Sequence, residues 1–254
     1  MRTIDLNSDM GEIRTLIDDG TQEALMASLT SINVACGAHA GDEFMMRTTV
    51  EQAIKGNVAV GAHPGYADRA NFGRLALKLT PEAVADSVCE QVCALAKVAA
   101  QCGVRIGHVK PHGALYNQAA VDPKVASGIA EGVSRWRPDV VLMGLAGSDM
   151  LRVFQDSGFA VAAEAFVDRR YEPDGTLRSR KFPDALIHDP AEAAQQALRI
   201  VEQRSVVAWD GTEISLRAET LCVHGDTPGA QKIAAAVVDA LRGAGVRLSP
   251  LRLD

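Results

Sequence analysis

Short apolar runs of strand length alternate with longer segments of helical pattern along the whole chain. Seven runs are rich in β-branched residues and are bounded by Gly, Asp or Pro, as strands buried on both faces should be. These predicted strands cover residues 3–7, 31–35, 57–62, 105–110, 139–144, 159–165 and 220–224. Strand–helix alternation requires parallel strands joined by right-handed crossovers, so the pattern predicts an α/β fold.

Seven strand–helix units indicate a distorted (β/α)7 barrel of the TIM type, with residues 1–254 forming a single domain. A doubly wound open sheet is the alternative. Helix starts are predicted where a capping side chain precedes a proline. Such pairs occur at residues 80–81, 122–123, 189–190 and 227–228. Two segments break the rhythm: a long polar loop at 166–184, and 206–218, which is typical of a small hairpin turning at an Asp-Gly pair.

The composition excludes several classes of function. The chain has 254 residues, 47% of them apolar, and a net charge of −6, so it lacks the basic surface of a nucleic-acid-binding protein. No apolar run is long enough for a membrane span, and the N-terminus has no signal-peptide pattern. Five cysteines without a CxxC pair favour the reducing cytoplasm. The sequences of a P-loop and of a GxSxG nucleophile elbow are also missing.

Polar side chains with catalytic or metal-binding chemistry cluster just past the ends of the predicted strands. They are Asp9, Glu12, His39, Asp42, His63, Lys110, His112, Glu164, His224 and Asp226. In a parallel barrel the carboxyl ends of all strands meet at one mouth, where active sites form. Four of the six histidines occupy such positions, which favours a common pocket over separate structural roles. His108 lies inside a strand, and we interpret it as structural.

Three chemistries fit such a pocket. Asp9, His39 and His63 could bind a divalent metal ion with nitrogen and oxygen ligands. His112 or His224 could transfer protons around a carbonyl group, oriented by Asp226 or Glu164. Lys110 could stabilise an oxyanion or a phosphoryl group. In the polar loop, Arg169, Arg170, Arg178 and Arg180 form either a solvated surface or a site for an anion or an acidic partner.

Six segments of the sequence resemble the LamB/YcsF family of lactam-utilisation proteins. They are DLNSDMGE (5–12), INVACGAHAGD (32–42), GAHPGYADRANFGR (61–74), HVKPHGALYN (108–117), EAFVDRRYEPDGTLRSR (164–180) and CVHGDTPGA (222–230). The resemblance spans nearly the whole chain in the family's order. It implies a barrel like that of glycoside hydrolases and polysaccharide deacetylases. It also implies an ATP-dependent 5-oxoprolinase, a hydrolase that opens 5-oxo-L-proline to L-glutamate, in which such a chain works with subunits B and C.

The residues and the resemblance together give a hypothesis for the site. His112 or His224 transfers protons, Lys110 stabilises the anion, and Asp9 and Glu12 position water or a metal ion. The side chains expected to contact the substrate are Asp9, Glu12, Asn33, His39, Asp42, His63, Asn117 and Arg170. ATP is the expected cofactor, and a divalent metal ion and a homo-oligomer are left open.

Two rival hypotheses remain at this point. One is a metal-dependent deacetylase or amidohydrolase that acts without ATP through Asp9, His39 and His63. The other is a binding protein without catalytic activity, which presents a small acidic ligand to partner chains.

Overall fold

The computed structural model describes residues 2–251. Its strands are β1 (Thr3–Met10), β2 (Ser31–Ala35), β3 (Ala59–His63), β4 (His108–Val109), β5 (Val141–Leu145), β6 (Ala160–Phe166), β7 (Ser205–Val207), β8 (Glu213–Ser215), β9 (Thr220–Cys222) and β10 (Arg247–Leu248). Its α-helices are α1 (Arg14–Asp18), α2 (Thr21–Met26), α3 (Glu43–Gly56), α4 (Pro81–Gln101), α5 (Gly113–Val121), α6 (Pro123–Trp136), α7 (Asp149–Asp156), α8 (Pro190–Leu198) and α9 (Ala230–Gly243).

Seven parallel strands close into a barrel in the order β1-β2-β3-β4-β5-β6-β9, because β9 pairs with both β6 and β1. The predicted strands and the closed barrel are therefore confirmed, and the open-sheet alternative is wrong. The fourth strand is shorter than predicted, although the backbone N–H groups of Gly107 and Lys110 still donate to carbonyl groups of Val60 and Ala62. Strand β10 extends the sheet beside the start of β1.

The turn and cap signals are mostly confirmed. Strands β7 and β8 form the predicted antiparallel hairpin, with Gly211 in the left-handed region at φ 92°. Side chains at positions 80, 122 and 189 cap α4, α6 and α8, each ahead of a proline. The helix start predicted at residues 227–228 is wrong: α9 begins at Ala230, because Gly229 at φ 80° turns the chain before the helix forms.

The first strand alternates apolar and polar side chains, and this alternation gives the barrel a polar interior. Leu6 and Met10 are buried in the apolar core outside the barrel. Asp5, Asn7 and Asp9 alternate with them and lie on the other face of the strand. The Asp5 carboxylate accepts hydrogen bonds from hydroxyl groups of neighbouring strands. The polar side chains of β1 therefore line the interior of the barrel up to its mouth.

Contacts between strands that are not neighbours show that these side chains meet inside the barrel. The Asn7 amide of β1 donates to Glu164 of β6 at 3.0 Å. His108 Nε2 of β4 contacts Asn33 Oδ1 of β2 at 2.9 Å. Gly61 of β3 makes this second contact possible, since a Cβ atom at that position would lie 2.0 Å from His108 Nε2. The missing side chain in β3 thus provides the space for the imidazole.

The apolar core lies between the outer face of the barrel and the surrounding helices. Its fully buried members include Leu6, Ile32, Leu95, Ile106, Leu115 and Ile129. Within residues 2–251, no helix combines the length and the apolar character that a membrane crossing requires.

Replacement of Gly61 tests this packing. We expect Gly61→Ala to lower the free energy of unfolding by about 1–3 kcal/mol or more, because the new methyl group overlaps the buried His108 ring. Gly243→Ala is the matched control, since a Cβ atom at this end of α9 meets no atom within 4 Å. Urea denaturation measures both. In the double variant Gly61→Ala/His108→Ala the two effects should be strongly non-additive. Simple additivity would show that the ring is not the obstacle.

Candidate active site

A cavity of about 490 Å³ opens at the carboxyl ends of the barrel strands. Its volume lies in the range of roughly 300–1,000 Å³ that is typical of small-molecule sites. Residues from the predicted pocket that line it are Asp9, Glu12, His63, Lys110, His112, Asn117, His224 and Asp226. The central sequence-based expectation, that remote loops converge on one mouth, is therefore met by these eight side chains.

The Lys110 ammonium group lies at the floor of the cavity between two carboxylates. Its Nζ is 3.0 Å from Asp9 Oδ1 and 2.8 Å from Glu164 Oε1, and all three side chains are largely buried. Burial lowers the pKa of Lys110, but the carboxylates of Asp9 and Glu164 outweigh this effect and hold the pKa well above its ordinary value. The site therefore keeps a permanent positive charge beside the cavity.

A hydrogen-bonded chain inside the barrel fixes the position of Asp9. Asn33 Nδ2 donates to Asp9 Oδ1 at 2.9 Å and to Asn7 Oδ1 at 2.8 Å. His108 in turn contacts the Asn33 carbonyl oxygen. Burial, the Lys110 charge and His63 lower the pKa of His108 to about 3, so this imidazole is neutral. Each side chain of this chain is held by its neighbour. The hydrogen-bonding capacity of Asp9 Oδ1 is therefore used within the barrel, and Asp9 Oδ2 faces His63.

Three histidines and two carboxylates form one buried cluster on the side of β1, β3 and β4. His63 Nε2 lies 3.3 Å from Asp9 Oδ2 and 3.0 Å from His112 Nδ1. Glu12 Oε1 lies 3.1 Å from both His112 Nδ1 and His39 Nε2. The His39 ring stacks on His112 with a centroid distance of 3.8 Å. Burial lowers the pKa of His39 to about 4 despite the hydrogen bond with Glu12.

His224 forms a dyad with Asp168 in the same cavity, and its ligand atom lies within 4.8 Å of that of Asp9. His224 Nδ1 lies 2.9 Å from Asp168 Oδ1, and the His224 backbone N–H donates to Asp168 Oδ2 at 2.8 Å. Burial raises the pKa of Asp168, but the charge and hydrogen bonds of His224 outweigh it and hold the pKa below its ordinary value. Nε2 of His224 has no hydrogen-bond partner among residues 2–251, so it is available to a ligand.

Basic side chains line the cavity near this dyad. Arg74 and Arg180 both form ion pairs with the Asp226 carboxylate. Arg169 is buried and also lines the cavity; its terminal N–H donates to the Arg178 carbonyl oxygen. Its Nε–H group has no partner within the described part of the chain. Burial and the nearby Arg180 charge lower the pKa of Arg169 to about 10, which still leaves the group charged at neutral pH.

Five side chains expected to act in the pocket do not line the cavity. Glu164 and Asn33 lie beneath it, where they hold Lys110 and Asp9. His39 is buried behind His112 and contacts Glu12. Asp42 is exposed and caps α3 by accepting from the Met45 N–H group. Arg170 forms an ion pair with Glu192 at 2.7 Å instead of facing the cavity.

Two predicted roles also need correction. The orienting carboxylate of the histidine is Asp168, whereas Asp226 is held by arginines and Glu164 by Lys110. The ligand atoms of the predicted metal set of Asp9, His39 and His63 are not grouped together, because His39 Nε2 contacts Glu12. Within residues 2–251, the ligand atoms of Asp9 and His63 instead come within 4.8 Å of those of His112.

Sequence reasoning missed Asp168 and the lining position of Arg74, whereas Arg169 and Arg180 belong to the basic loop for which an anion site is one of the two expected roles. A signal existed for Asp168, since it follows the end of β6 by two residues, as the other pocket residues follow their strands. Within this loop the sequence-based hypothesis names Arg170 as the substrate contact, but Arg169 lines the cavity instead.

Comparisons with known proteins place the whole chain among relatives. The model of the LamB/YcsF family matches residues 4–253. The chain is 47% identical over 246 residues to the A subunit of 5-oxoprolinase from Chloroflexus aggregans, covering 97% of this chain and 98% of that protein. It is 47% identical over 250 residues to the corresponding A subunit from Methylococcus capsulatus, covering 98% and 96%.

One solved structure agrees with this family, and another shares the fold. The lactam utilization protein from Thermus thermophilus matches with a TM-score of 0.90 and 39% identity, over 98% of this chain and 100% of that one. The family 4 carbohydrate esterase from Streptomyces lividans matches with a TM-score of 0.51 and 10% identity, over 99% and 93%. The second likeness concerns the fold alone.

The neutral state of His108 predicts how its contribution to stability depends on pH. An unfolded histidine takes up a proton below pH 6.5, whereas buried His108 does not until about pH 3. The unfolded state then binds more protons, so stability is lost as the pH falls below 6.5. Relative to His108→Gln, the wild type should lose about 2 kcal/mol between pH 7 and pH 5. Urea denaturation at both pH values measures this, with exposed His188→Gln as control. Parallel pH dependence of wild type and His108→Gln would contradict the neutral assignment.

Proposed function

The chain belongs to the LamB/YcsF family, and from this premise we propose that it is the A subunit of an ATP-dependent 5-oxoprolinase. The proposed reaction opens 5-oxo-L-proline to L-glutamate. The observation that carries the proposal is the likeness, over nearly the full length of both chains, to proteins named as the A subunit of 5-oxoprolinase. The cavity at the barrel mouth supplies the groups that this chemistry needs.

The lactam amide is resonance-stabilised, and we propose that ATP drives its cleavage. Transfer of the γ-phosphoryl group to the amide oxygen releases ADP and makes the ring carbon more electrophilic. Water then adds to this carbon, and the ring C–N bond breaks with protonation of the nitrogen. A second water hydrolyses the resulting acyl phosphate, which gives glutamate and inorganic phosphate. The site must therefore move protons, hold an anion and stabilise developing negative charge.

His224 is the better of the two predicted candidates for proton transfer. The contact with Asp168 places the ring proton on Nδ1 and leaves Nε2 as a base, in an arrangement that also stabilises the imidazolium. His112 has no comparable free nitrogen, because Nε2 contacts the Phe72 carbonyl oxygen and Nδ1 faces His63. We therefore assign the general base, which activates water, and the general acid, which protonates the leaving nitrogen, to His224.

Two cations suit the charges of the proposed substrate. Arg169 has a buried Nε–H group without a partner in the described chain and lines the cavity, so we propose that it binds the carboxylate of 5-oxoproline. Lys110 lies at the cavity floor and is proposed to stabilise the oxyanion. Asn117 lines the same cavity and can donate a hydrogen bond to the substrate.

Partner chains complete the proposed enzyme. The sequence has no P-loop, and we propose that binding and transfer of the ATP phosphoryl group depend on subunits B and C. The five cysteines are free thiols in the structure, which suits the cytoplasm as the proposed location. Reconstitution of the three chains with 5-oxo-L-proline and ATP, with glutamate and phosphate as readouts, is the direct test.

A deacetylase that acts without ATP remains the competing class. The fold likeness to a carbohydrate esterase at 10% identity does not favour it, since one fold hosts many reactions. Release of acetate from acetylated sugars by the isolated chain without ATP would support that class. Glutamate formation that requires ATP and both partners would support the oxoprolinase.

The dyad can be tested with two conservative variants in the reconstituted enzyme. His224→Gln and Asp168→Asn should each lower kcat by about 10²–10⁴-fold, because the first removes the base and the second its orienting carboxylate. The double variant should be little worse than His224→Gln, since the two residues act as a unit. Glutamate formation and thermal melts separate catalysis from folding. Near-normal turnover by His224→Gln would refute the assignment and return the role to His112.

The two adjacent arginines provide a matched pair for the anion site. Arg169→Met should lower kcat/KM for 5-oxo-L-proline by about 10- to 100-fold, mainly through KM, because a hydrogen-bonded charge is lost. Arg170→Met should leave both constants near the wild-type values, since Arg170 pairs with Glu192 outside the cavity. Steady-state kinetics of the three-chain enzyme decides. Equal effects of the two changes would rule out a specific role for Arg169.

A further inference from the structure

Two imidazole rings in the cavity face each other through nitrogens that both lack a proton in the neutral state. His63 Nδ1 lies 2.7 Å from the Lys110 carbonyl oxygen, and His112 Nε2 lies 2.9 Å from the Phe72 carbonyl oxygen. A carbonyl oxygen only accepts, so each of these nitrogens carries the ring proton. The remaining atoms, His63 Nε2 and His112 Nδ1, are then bare acceptors that lie 3.0 Å apart.

Two facing lone pairs at this distance repel unless a cation lies between them. A shared proton would satisfy the two nitrogens alone. A third acceptor is present, however: Asp9 Oδ2 lies 3.3 Å from His63 Nε2 and has no donor of its own among residues 2–251, since Asn33 and Lys110 both contact Oδ1. Three acceptors that converge without a donor between them indicate a multivalent cation.

The distances between these atoms fit a metal ion. Zinc binds imidazole nitrogen and carboxylate oxygen at about 2.0–2.2 Å, so neighbouring ligand atoms of a tetrahedral site lie about 3.3 Å apart. The separations of 3.3 Å for Asp9–His63 and 3.0 Å for His63–His112 are close to this value. Glu12 Oε1 lies 3.1 Å from His112 Nδ1, next to the same position.

The surroundings of the three side chains are those of a supported metal site. Backbone carbonyl groups orient both imidazoles, and Asn33 and Lys110 orient Asp9, as outer partners orient ligands in metalloproteins. The buried cluster contains three carboxyl groups, from Asp9, Glu12 and Glu164, and one ammonium group, from Lys110. A dication would offset this excess of negative charge.

We propose that Asp9 Oδ2, His63 Nε2 and His112 Nδ1 bind a divalent transition-metal ion of the zinc type at the mouth of the barrel. All three residues line the cavity, so the ion can reach the site from solvent and a ligand can reach the ion. In the oxoprolinase the ion would act as a Lewis acid on the lactam carbonyl oxygen beside Lys110. That catalytic role rests on the proposed function, whereas binding of the ion does not.

The test measures binding by the isolated full-length chain, without ATP, lactam or partner chains. The chain is stripped with a chelator and titrated with Zn²⁺ by calorimetry and with Co²⁺ by visible absorption. We expect one ion per chain and the intense d–d bands of a Co²⁺ ion with four or five ligands. Asp9→Asn, His63→Gln and His112→Gln should each weaken binding by more than about 100-fold, beyond the effect of an outer partner.

His39→Gln is the matched control, because His39 stacks on His112 but contacts only Glu12 through Nε2. His39→Gln should weaken metal binding by less than about 10-fold. Asn33→Ala, which removes a hydrogen bond that orients Asp9, should weaken metal binding by about 10- to 100-fold. Circular dichroism confirms the fold of each variant. Absence of stoichiometric Co²⁺ or Zn²⁺ binding by the wild type would overturn the site in favour of a shared proton. Loss of binding in His39→Gln as large as in His63→Gln would overturn the ligand assignment.

The two proposals fail in different ways. Metal binding without glutamate formation in the three-chain assembly would refute the oxoprolinase and leave the metal site intact. Full oxoprolinase activity of a chain shown to be free of bound metal would refute a catalytic ion and leave the oxoprolinase intact.

Discussion

The buried ammonium group of Lys110 is the interaction on which the rest of the site depends. It contacts Asp9 from β1 and Glu164 from β6, while Lys110 itself follows β4. Removing one member of a buried ion pair leaves an uncompensated charge and costs about 3–5 kcal/mol. The three strands must therefore keep their register for the charges to meet. The charges of the active site thus meet only in the closed barrel.

Hydrogen bonds to the backbone decide what each histidine can do. His63 and His112 each contact a carbonyl oxygen with one nitrogen, which fixes the tautomer and turns the other nitrogen to the common cluster. His224 contacts a carboxylate instead, and its second nitrogen is free within the described chain. One residue type thus provides both the candidate metal ligands and the proposed base of the same cavity.

The sequence predicted the barrel and the mouth because both follow from periodicity. Apolar runs of strand length and capped helices are local features, and parallel strands bring their carboxyl ends together whatever the loops do. The roles could not be predicted, because loop conformation decides which of two adjacent side chains turns inward. After β6 the chain directs Asp168 and Arg169 to the site and turns Arg170 to Glu192. Similarly, the rings of His39 and His112 stack on each other, and only the contacts in the structure show that His112 is the one that faces His63.

The cavity is lined by two unlike groups of side chains, and their difference restricts how the proposed lactam can bind. Asp9, Glu12 and the paired imidazoles form an acceptor-rich cluster, whereas Arg169 and Arg180 are basic lining residues. Asp226 already pairs with Arg180, whereas the buried Arg169 Nε–H group has no partner in the described chain and is the donor proposed for the substrate carboxylate. In the proposed binding mode the carboxylate of the lactam lies at Arg169 and its amide at Lys110 and the acceptor-rich cluster. Anionic oxygen is unfavourable among uncompensated acceptors. A cation at Asp9, His63 and His112 would remove this conflict, so the orientation of the substrate and the proposed metal ion support each other.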